Sequence, residues 1–225
     1  MAGLDRQARP DSLSRQTYLT LREGIIRGTY PQGTRLLEQP LAEELSVSRV
    51  PLREAVPLLE VDGFVRMLPR RGAEVTTWTE KSVHDLFNLR LCLEVGATGY
   101  AARAVAAGAD TTQLDLALQR AHDGVDTGDD YRIAEDSTWF HEVIVDMTDN
   151  ALMRSIMRSV SGRMMWLFFM TSSLDQSDAH SGHAEIAGAI RSGHERFAES
   201  IAYGHIERDR DDSITVLRER GFLHG

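Results

Sequence analysis

Two arginines stand four residues apart in the segment SVSRVPLREAV, residues 46–56. If the segment is helical, Arg49 and Arg53 project from one face, about one turn apart. An arginine can donate two parallel hydrogen bonds to O6 and N7 of guanine, and the hydroxyl groups of Ser46 and Ser48 can donate to phosphate. The alternative is a solvated helix face on which both arginines pair with nearby glutamates.

The elements around these arginines favour contact with DNA. Apolar periodicity predicts a helix from Leu13 to Gly28, a short helix opening at Pro40, and a third helix from about Val50 to Asp62. The third helix is expected to bury Leu52, Val56, Leu59 and Val61. The alternating segment FVRMLPRRGAEVTTW then predicts a two-stranded hairpin. This order is typical of a winged helix-turn-helix, in which the second helix of the motif enters the major groove.

The tip of the predicted hairpin carries a second pair of basic residues. Arg70 and Arg71 lie in the PRRG turn, where a wing reaches a neighbouring groove or the DNA backbone. Gly72 follows them and permits a close approach of the main chain. We therefore include all three residues among the candidate DNA contacts.

Charge divides the chain into two parts. Residues 1–77 contain 11 basic and 10 acidic residues, a net charge of +1, whereas residues 78–225 contain 14 basic and 24 acidic residues, a net charge of −10. Such an asymmetry predicts two domains with different partners. We expect a disordered N-terminus over 1–12, the winged domain over 13–77, and a second domain over 78–225.

The second domain is predicted to be entirely helical. Thr79 is expected to cap a long first helix, and further amphipathic stretches follow at about 111–124, 130–148, 150–174, 178–192 and 194–220. An antiparallel bundle is the economical packing for six such helices. The fold class is therefore mainly α, a winged helix-turn-helix followed by an antiparallel helical bundle.

Composition indicates the compartment. The single cysteine, Cys92, excludes an intramolecular disulfide, and the N-terminus lacks the apolar segment of a secretory signal. The longest apolar run, residues 164–170, is much shorter than the about 20 residues that span a bilayer. We expect a cytoplasmic protein with no membrane partner, and we assign the apolar run to the bundle core in preference to a dimer interface.

Residues 21–75 resemble the N-terminal DNA-binding domain of GntR-family transcription regulators. The resemblance rests on the segments GTRL, LAEELSVSRVPLREAVPLLEVDGFV and RRGAEV. It implies contacts with double-stranded operator DNA from Gln39, Ser48, Arg49, Val50, Arg53 and Gly72. Gln39 and Val50 depart from the commonest residues of the family, so the resemblance does not predict the base preference at these two positions.

The helical part is similar to the FCD domain, the FadR-type ligand-binding domain of the same family. The similarity lies in DLFNLRLCLEVGATGYAA, WFHEVIVDMTDN and HAEIAGAIRSGHERFAESIAYGHIE. It implies a divalent metal ion, zinc or a nickel-like ion, bound by His141, His183 and His205, which fall on three separate predicted helices. Taken singly, each histidine could equally be a surface or core residue, which is how we interpret His122, His180, His194 and His224.

The resemblance also implies an aspartate four residues before the first histidine, but Ser137 occupies that position. Asp136 lies five residues before His141, which places the two side chains about 140° apart on an ideal helix. Either the helix is distorted there and Asp136 is the fourth ligand, or a water molecule or an effector oxygen completes the site. Both alternatives remain open from the sequence.

Four residues are candidates for binding an effector. Arg90 matches a pocket-facing position of the family, so it is expected either to clamp a small carboxylate effector or to form a salt bridge with Glu94. Ser137 and Asn150 complete the set, and Asn150 is first of all a candidate helix cap. The resemblance as a whole implies a homodimeric, ligand-responsive regulator, most often a repressor.

Two other classes of protein compete with that hypothesis. A metal-dependent enzyme could use the three-histidine cluster with an open coordination position. No nucleophile or general base stands at motif spacing nearby, however, because Glu142 directly follows His141 and points elsewhere on the helix. An architectural DNA-binding protein without a ligand is disfavoured by the acidic second domain, since such proteins are generally basic throughout.

Overall fold

The computed structural model describes residues 12–68, 72–172 and 176–224. The contacts divide the chain into two compact units, with the boundary in the sequence after Thr76. The predicted disordered segment 1–12 lies outside the described residues except for Ser12, whose side chain caps the first helix by accepting a hydrogen bond from the Arg15 amide. Arg70 and Arg71 also lie outside the described residues.

The first unit contains three helices and three short strands among its described residues. They are α1 (Leu13–Ile26), β1 (Arg35–Leu36), α2 (Glu38–Glu44), α3 (Arg49–Val61), β2 (Val65–Leu68) and β3 (Gly72–Val75). The buried side chains of the two longer helices include Tyr18, Leu21, Ile25 and Ile26 of α1 and Leu52, Ala55, Val56 and Leu59 of α3. The aliphatic faces of α1 and α3 pack together as the core of this unit. The winged helix-turn-helix predicted from the sequence is confirmed.

Two details of this unit differ from the sequence-based expectation. The sheet has three strands in the order β1-β3-β2, because Arg35 and Leu36 pair antiparallel with Glu74 and Ala73. A two-residue strand has too little periodicity to be predicted from sequence. The prediction that Val61 is buried was wrong, since its side chain is 73% exposed. Val61 is the last residue of α3, where the helix has passed the edge of the core.

The second unit contains six helices among the described residues. They are α4 (Glu80–Ala106), α5 (Thr112–Thr127), α6 (Asp130–Asp146), α7 (Ala151–Met170), α8 (Gln176–Arg191) and α9 (Glu195–Glu219). Thr79 caps α4 as predicted, in a capping box with Ser82. Helix α4 packs against α6, α7, α8 and α9, so it is the central element of the bundle. Side chains on its buried face therefore reach four other helices.

The apolar run on α7 lies in the bundle core. Met164, Met165, Trp166, Leu167 and Met170 are all buried. None of the described helices is long and apolar enough to cross a membrane.

Candidate DNA-recognition helix and metal centre

The arginine pair lies at the exposed N-terminal end of α3. Ser48 is the N-cap residue, and its side chain makes no capping hydrogen bond. The turn before it is tight, because Ser46 adopts the left-handed conformation with a φ of 53°. Arg49, Val50 and Arg53 are all exposed, so the start of α3 presents a basic surface.

Arg53 is connected to the preceding helix by an ion pair. Its Nε donates to Oε2 of Glu38 at 2.9 Å, yet 62% of the arginine side chain stays exposed. The bond uses one edge of the guanidinium and positions the remaining N–H groups. Arg53 therefore does pair with a glutamate, but this glutamate belongs to α2 and not to α3. The ion pair leaves other N–H groups of Arg53 available as donors to DNA.

The remaining candidate DNA contacts lie close to this helix or on the wing. Gln39 is exposed on α2 and lines an open groove between α2 and the start of α3, together with Ser48 and Arg49. Gly72 has a φ of 82°, and a Cβ atom there would stand 3.0 Å from the Leu36 carbonyl oxygen. The close pairing of β1 with β3 therefore requires glycine at this position.

Three buried imidazoles converge in the helical unit. His141 on α6, His183 on α8 and His205 on α9 are each less than 5% exposed. Their potential ligand atoms all lie within 4.8 Å of one another. The structure thus brings together, from three helices, the three histidines that the family resemblance selected.

The ring of His141 is oriented by an ion-pair network from α4. Its Nδ1 lies 2.8 Å from Oε2 of Glu94, and Glu94 also accepts a 2.8 Å hydrogen bond from Nε of Arg90. If Nδ1 carries the proton, Nε2 is free to accept, and Nη2 of Arg90 lies 3.3 Å from it. A carboxylate on the remote nitrogen is the usual partner of a metal-binding imidazole.

His205 carries the observation that best fits a metal ion. Its Nε2 is buried and makes no hydrogen bond to any described residue. Oδ2 of Asp209 lies only 3.2 Å away, but the angle is not that of a hydrogen bond, and we therefore regard this contact as electrostatic. Burial, reinforced by the nearby cationic groups, lowers the pKa of His205 to about 4, so its imidazole is neutral at pH 7. Neutral imidazole is the form that binds metal.

Packing brings His205 and His183 close together through a glycine. A Cβ atom at Gly182 would stand 2.5 Å from Nδ1 of His205, so only glycine lets α9 approach α8 this closely. On the other side, the Phe140 ring stacks on His183 with a centroid separation of 4.4 Å. The cluster is therefore enclosed by close packing.

Two buried residues of opposite charge, Arg90 and Glu94, lie beside the cluster. Arg90 is 1% exposed, and its guanidinium lies over the rings of Phe87 and Phe168. Burial by itself would raise the pKa of Glu94, but the neighbouring Arg90 and His141 outweigh that effect and lower the pKa to about 2. The salt bridge of Arg90 with Glu94 is formed. The guanidinium also adjoins the histidine cluster, so the geometry is compatible with the second predicted role of Arg90, binding a carboxylate effector.

The structure does not bring Asp136 to the histidines. Its carboxylate is fully buried but lies 2.6 Å from Nη2 of Arg120 on α5 and 3.5 Å from Nε of Arg132, in ion pairs without hydrogen-bond angles. Gly124 of α5 lies against it. The assignment of Asp136 as a metal ligand is therefore corrected. The reason is the five-residue spacing, because α6 is regular and turns this side chain towards α5.

The two remaining effector candidates differ in position. Ser137 is half-buried on α6, one turn before His141 and on the same side of the helix. Asn150 is exposed, and its side chain accepts hydrogen bonds from the amides of Leu152 and Met153 as the N-cap of α7. We therefore withdraw Asn150 from the effector site and assign it the capping role.

One residue of this region was missed from sequence. Asp209 lies beside His205 and also 3.4 Å from Nη1 of Arg90, which makes it part of the network. Its spacing of four residues from His205 was a usable signal, since residues four apart on a helix share a face. Among the histidines left aside, His122 and His194 are exposed on the surface.

Comparison with known protein families agrees with both parts of the chain. Residues 13–75 match the family described as bacterial regulatory proteins, gntR family. Residues 85–208, more than half of the chain, match the FCD domain.

The chain belongs to the GntR family of transcription regulators.

Two relatives of this regulator align with most of its length. The uncharacterized HTH-type transcriptional regulator YdhC of Bacillus subtilis is 28% identical over 214 residues, 91% of this chain and 92% of its own. The Nta operon transcriptional regulator of Aminobacter aminovorans is 26% identical over 83% of this chain and 87% of its own. A crystal structure of a GntR regulator from Rhodococcus sp. RHA1 superposes with a TM-score of 0.76, at 22% identity over 91% of this chain and 98% of that one. At that identity the superposition supports the fold alone.

The relatives also settle the class of protein. They are transcription regulators, and so this chain is a DNA-binding transcription regulator and not an enzyme. The alternative of a metal-dependent enzyme is thereby set aside. The three-histidine cluster belongs to the domain that accompanies the DNA-binding domain.

Proposed function

We propose that this protein is a ligand-responsive repressor that works as a homodimer. In this proposal the first unit binds operator DNA, and the second binds a divalent metal ion and a small carboxylate effector. The carrying observation is the convergence of three buried imidazoles from α6, α8 and α9. Because operator DNA lies in the cytoplasm, we include a cytoplasmic location in the proposal.

The metal would bind His141, His183 and His205. Three neutral imidazoles suit zinc, nickel and similar ions. The buried Nε2 of His205, which makes no hydrogen bond to a described residue, supports this assignment. Burying a polar nitrogen without a hydrogen bond costs free energy, and a metal ion bound to that nitrogen would offset the cost. A bound ion would supply a Lewis-acidic centre to which an effector oxygen can attach.

The charge around the histidine cluster supports a carboxylate as the effector. The charged groups beside the histidines are the buried Arg90 and Glu94 and the partly exposed Asp209. Their charges sum to −1 when all three are ionised. A divalent ion would change that sum to +1, and a single carboxylate would then neutralise it. Uncompensated buried charge is strongly unfavourable, so metal binding is expected to create the affinity for an anion.

Repression is supported by the relatives that share the DNA-binding domain. A gluconate operon transcriptional repressor of Bacillus licheniformis is 45% identical over 74 residues, which are 33% of this chain and 30% of its own. In our proposal the effector changes the placement of the two DNA-binding domains of a dimer and so weakens operator binding. The expected coupling between effector and operator is about 1–3 kcal/mol.

Metal content tests the site directly. We expect the purified wild-type protein to bind about one divalent ion per chain, and a His183→Ala, His205→Ala variant to bind none. Metal analysis after dialysis against metal-free buffer gives the answer. Equal metal content in the two proteins would disprove the site.

A thermal-shift screen of small carboxylates tests the effector class. We expect one or more carboxylates to raise the unfolding temperature of the metal-loaded protein, and a chelator to abolish the shift. Shifts that survive chelation would show that the effector does not bind through the metal.

Operator binding tests the recognition helix. We expect Arg49→Ala with Arg53→Ala to lose about 1–3 kcal/mol of specific binding for each base-contacting arginine, while the fold is unchanged. Arg196→Ala is the matched control, because this arginine is exposed on α9 in the other unit. Unchanged affinity of the double variant at physiological salt would refute the assignment.

A further inference from the structure

We propose that Asp209 supplies the carboxylate ligand of the metal centre. The family pattern places an aspartate one turn before His141, but this chain has Ser137 there and turns Asp136 towards α5. The inference rests on the metal site of the proposed function and adds a ligand from a different helix, α9.

The separation of Asp209 from His205 is one that two donors to the same ion can have. Its Oδ2 lies 3.2 Å from Nε2, and this pair does not have the angle of a hydrogen bond. Ligand bonds of about 2.0–2.2 Å that meet at about 90° to 110° place their donor atoms about 2.8 to 3.6 Å apart. The carboxylate oxygen also lies off the axis of the Nε2 lone pair, as expected for a neighbouring ligand.

The two buried acids of the helical unit that could compete for this role already have partners. Glu94 accepts hydrogen bonds from Arg90 and contacts Nδ1 of His141, which is the role of a residue that orients a ligand. Asp136 is occupied by Arg120. Asp209, in contrast, has only a 3.4 Å contact with Nη1 of Arg90 and the off-axis contact with His205. It is therefore the acid that can change partner at the lowest cost.

Asp209 stands at the edge of the cluster and is partly exposed to solvent. It lies outside the set of donor atoms that are all within 4.8 Å of one another, and its side chain is 25% exposed. In the proposal Oδ2 reaches the ion by a change of side-chain rotamer, which partial exposure restricts less than the full burial of Glu94 would. Arg90 would then lose its contact with Asp209, which frees Nη1 to donate to an effector carboxylate. Metal binding would thus precede and favour effector binding.

Metal affinity in a set of aspartate variants tests the proposal. Zinc affinity is measured by competition with a chromophoric chelator. Removal of a residue that only hydrogen-bonds to a metal ligand typically lowers metal affinity by about 10- to 100-fold. Asp209→Asn removes a ligand in this proposal, so we expect its zinc affinity to fall by that factor or more. Asp136→Asn and Asp212→Asn should bind as wild type does, and the exposed Asp212 on α9 controls for the loss of one negative charge from that helix. Wild-type affinity in Asp209→Asn, or a loss confined to Asp136→Asn, would overturn the assignment.

Two further measurements separate a ligand from a structural residue. Bound Co²⁺ should show a changed visible absorption spectrum in Asp209→Asn, because its coordination shell changes. Ser137→Asp combined with Asp209→Asn should regain metal affinity, since residue 137 lies one turn before His141. An unchanged Co²⁺ spectrum, or no recovery in a double variant that folds normally in thermal unfolding, would count against Asp209.

Failure of the inference is distinguishable from failure of the proposed function. If the variant without His183 and His205 loses the metal, but the variant without Asp209 keeps wild-type metal affinity, only the assignment of Asp209 is overturned. If the wild-type protein binds no metal under any condition, the metal site itself is disproved and this ligand assignment with it.

Discussion

Replacement of Arg90 by methionine would leave a buried carboxylate without its guanidinium partner. Arg90 is 1% exposed and pairs with Glu94 at 2.8 Å, and methionine preserves much of its length without its charge. Removal of one member of a buried ion pair typically costs about 3–5 kcal/mol, because the remaining charge is uncompensated. We expect the free energy of unfolding of the helical unit to fall by that amount at pH 7.

The pKa of Glu94 leads to a similar magnitude. Burial raises it, but Arg90 and His141 together lower it from 4.5 to about 2. At about 1.4 kcal/mol for each pKa unit, this shift corresponds to roughly 3 kcal/mol of stability. Because the folded-state pKa is depressed, the contribution is complete above pH 4.5 and is lost as the pH falls towards 2. The difference between wild type and Arg90→Met should therefore shrink in acid.

The assay can follow the helical unit alone. All three tryptophans, Trp78, Trp139 and Trp166, lie after residue 76, so urea unfolding monitored by tryptophan fluorescence reports on this unit. A chelator is present throughout, so that metal binding does not contribute. Arg196→Met is the control and should change stability by less than about 0.5 kcal/mol, since this arginine is exposed. A loss below 1 kcal/mol in Arg90→Met would refute the reasoning that the buried pair is strongly coupled.

Three further predictions concern packing, capping and metal. Gly182→Ala should displace the His205 ring, which lowers the free energy of unfolding by about 1–3 kcal/mol through overpacking and weakens metal binding. Gly188→Ala on the same helix has open space around the added methyl group, so it should be neutral or stabilising. Equal effects of the two substitutions in urea unfolding would contradict this contrast. Asn150→Ala should lower the free energy of unfolding by about 1 kcal/mol, because α7 loses its N-cap, and should leave effector affinity unchanged. A lower effector affinity in calorimetry would show that Asn150 contributes to effector binding. Chelation should lower the unfolding temperature of the wild type, because an ion at 1,000 times its dissociation constant stabilises by about 4 kcal/mol; no change would indicate that no metal was bound.

The sequence by itself determined the order and type of the helices. Periodic apolar residues and local signals such as Thr79 and the glycines between helices are properties of neighbouring residues, so they can be identified without a fold. The arginines at the start of α3 were assigned by the same local reasoning. The three histidines were selected by resemblance to a family.

Tertiary structure alone decided which side chains meet. Asp136 and Asp209 are both acids close in sequence to a candidate ligand, yet one faces α5 and the other lies beside His205 and Arg90. The direction in which each points depends on the rotation of α6 and α9 about their axes, and that rotation is set by packing against residues far away in the chain. The pairing of β1 with β3 was likewise decided by distant residues. Sequence periodicity determines which face of a helix is apolar, but contacts across the bundle determine which polar side chain on that face finds which partner.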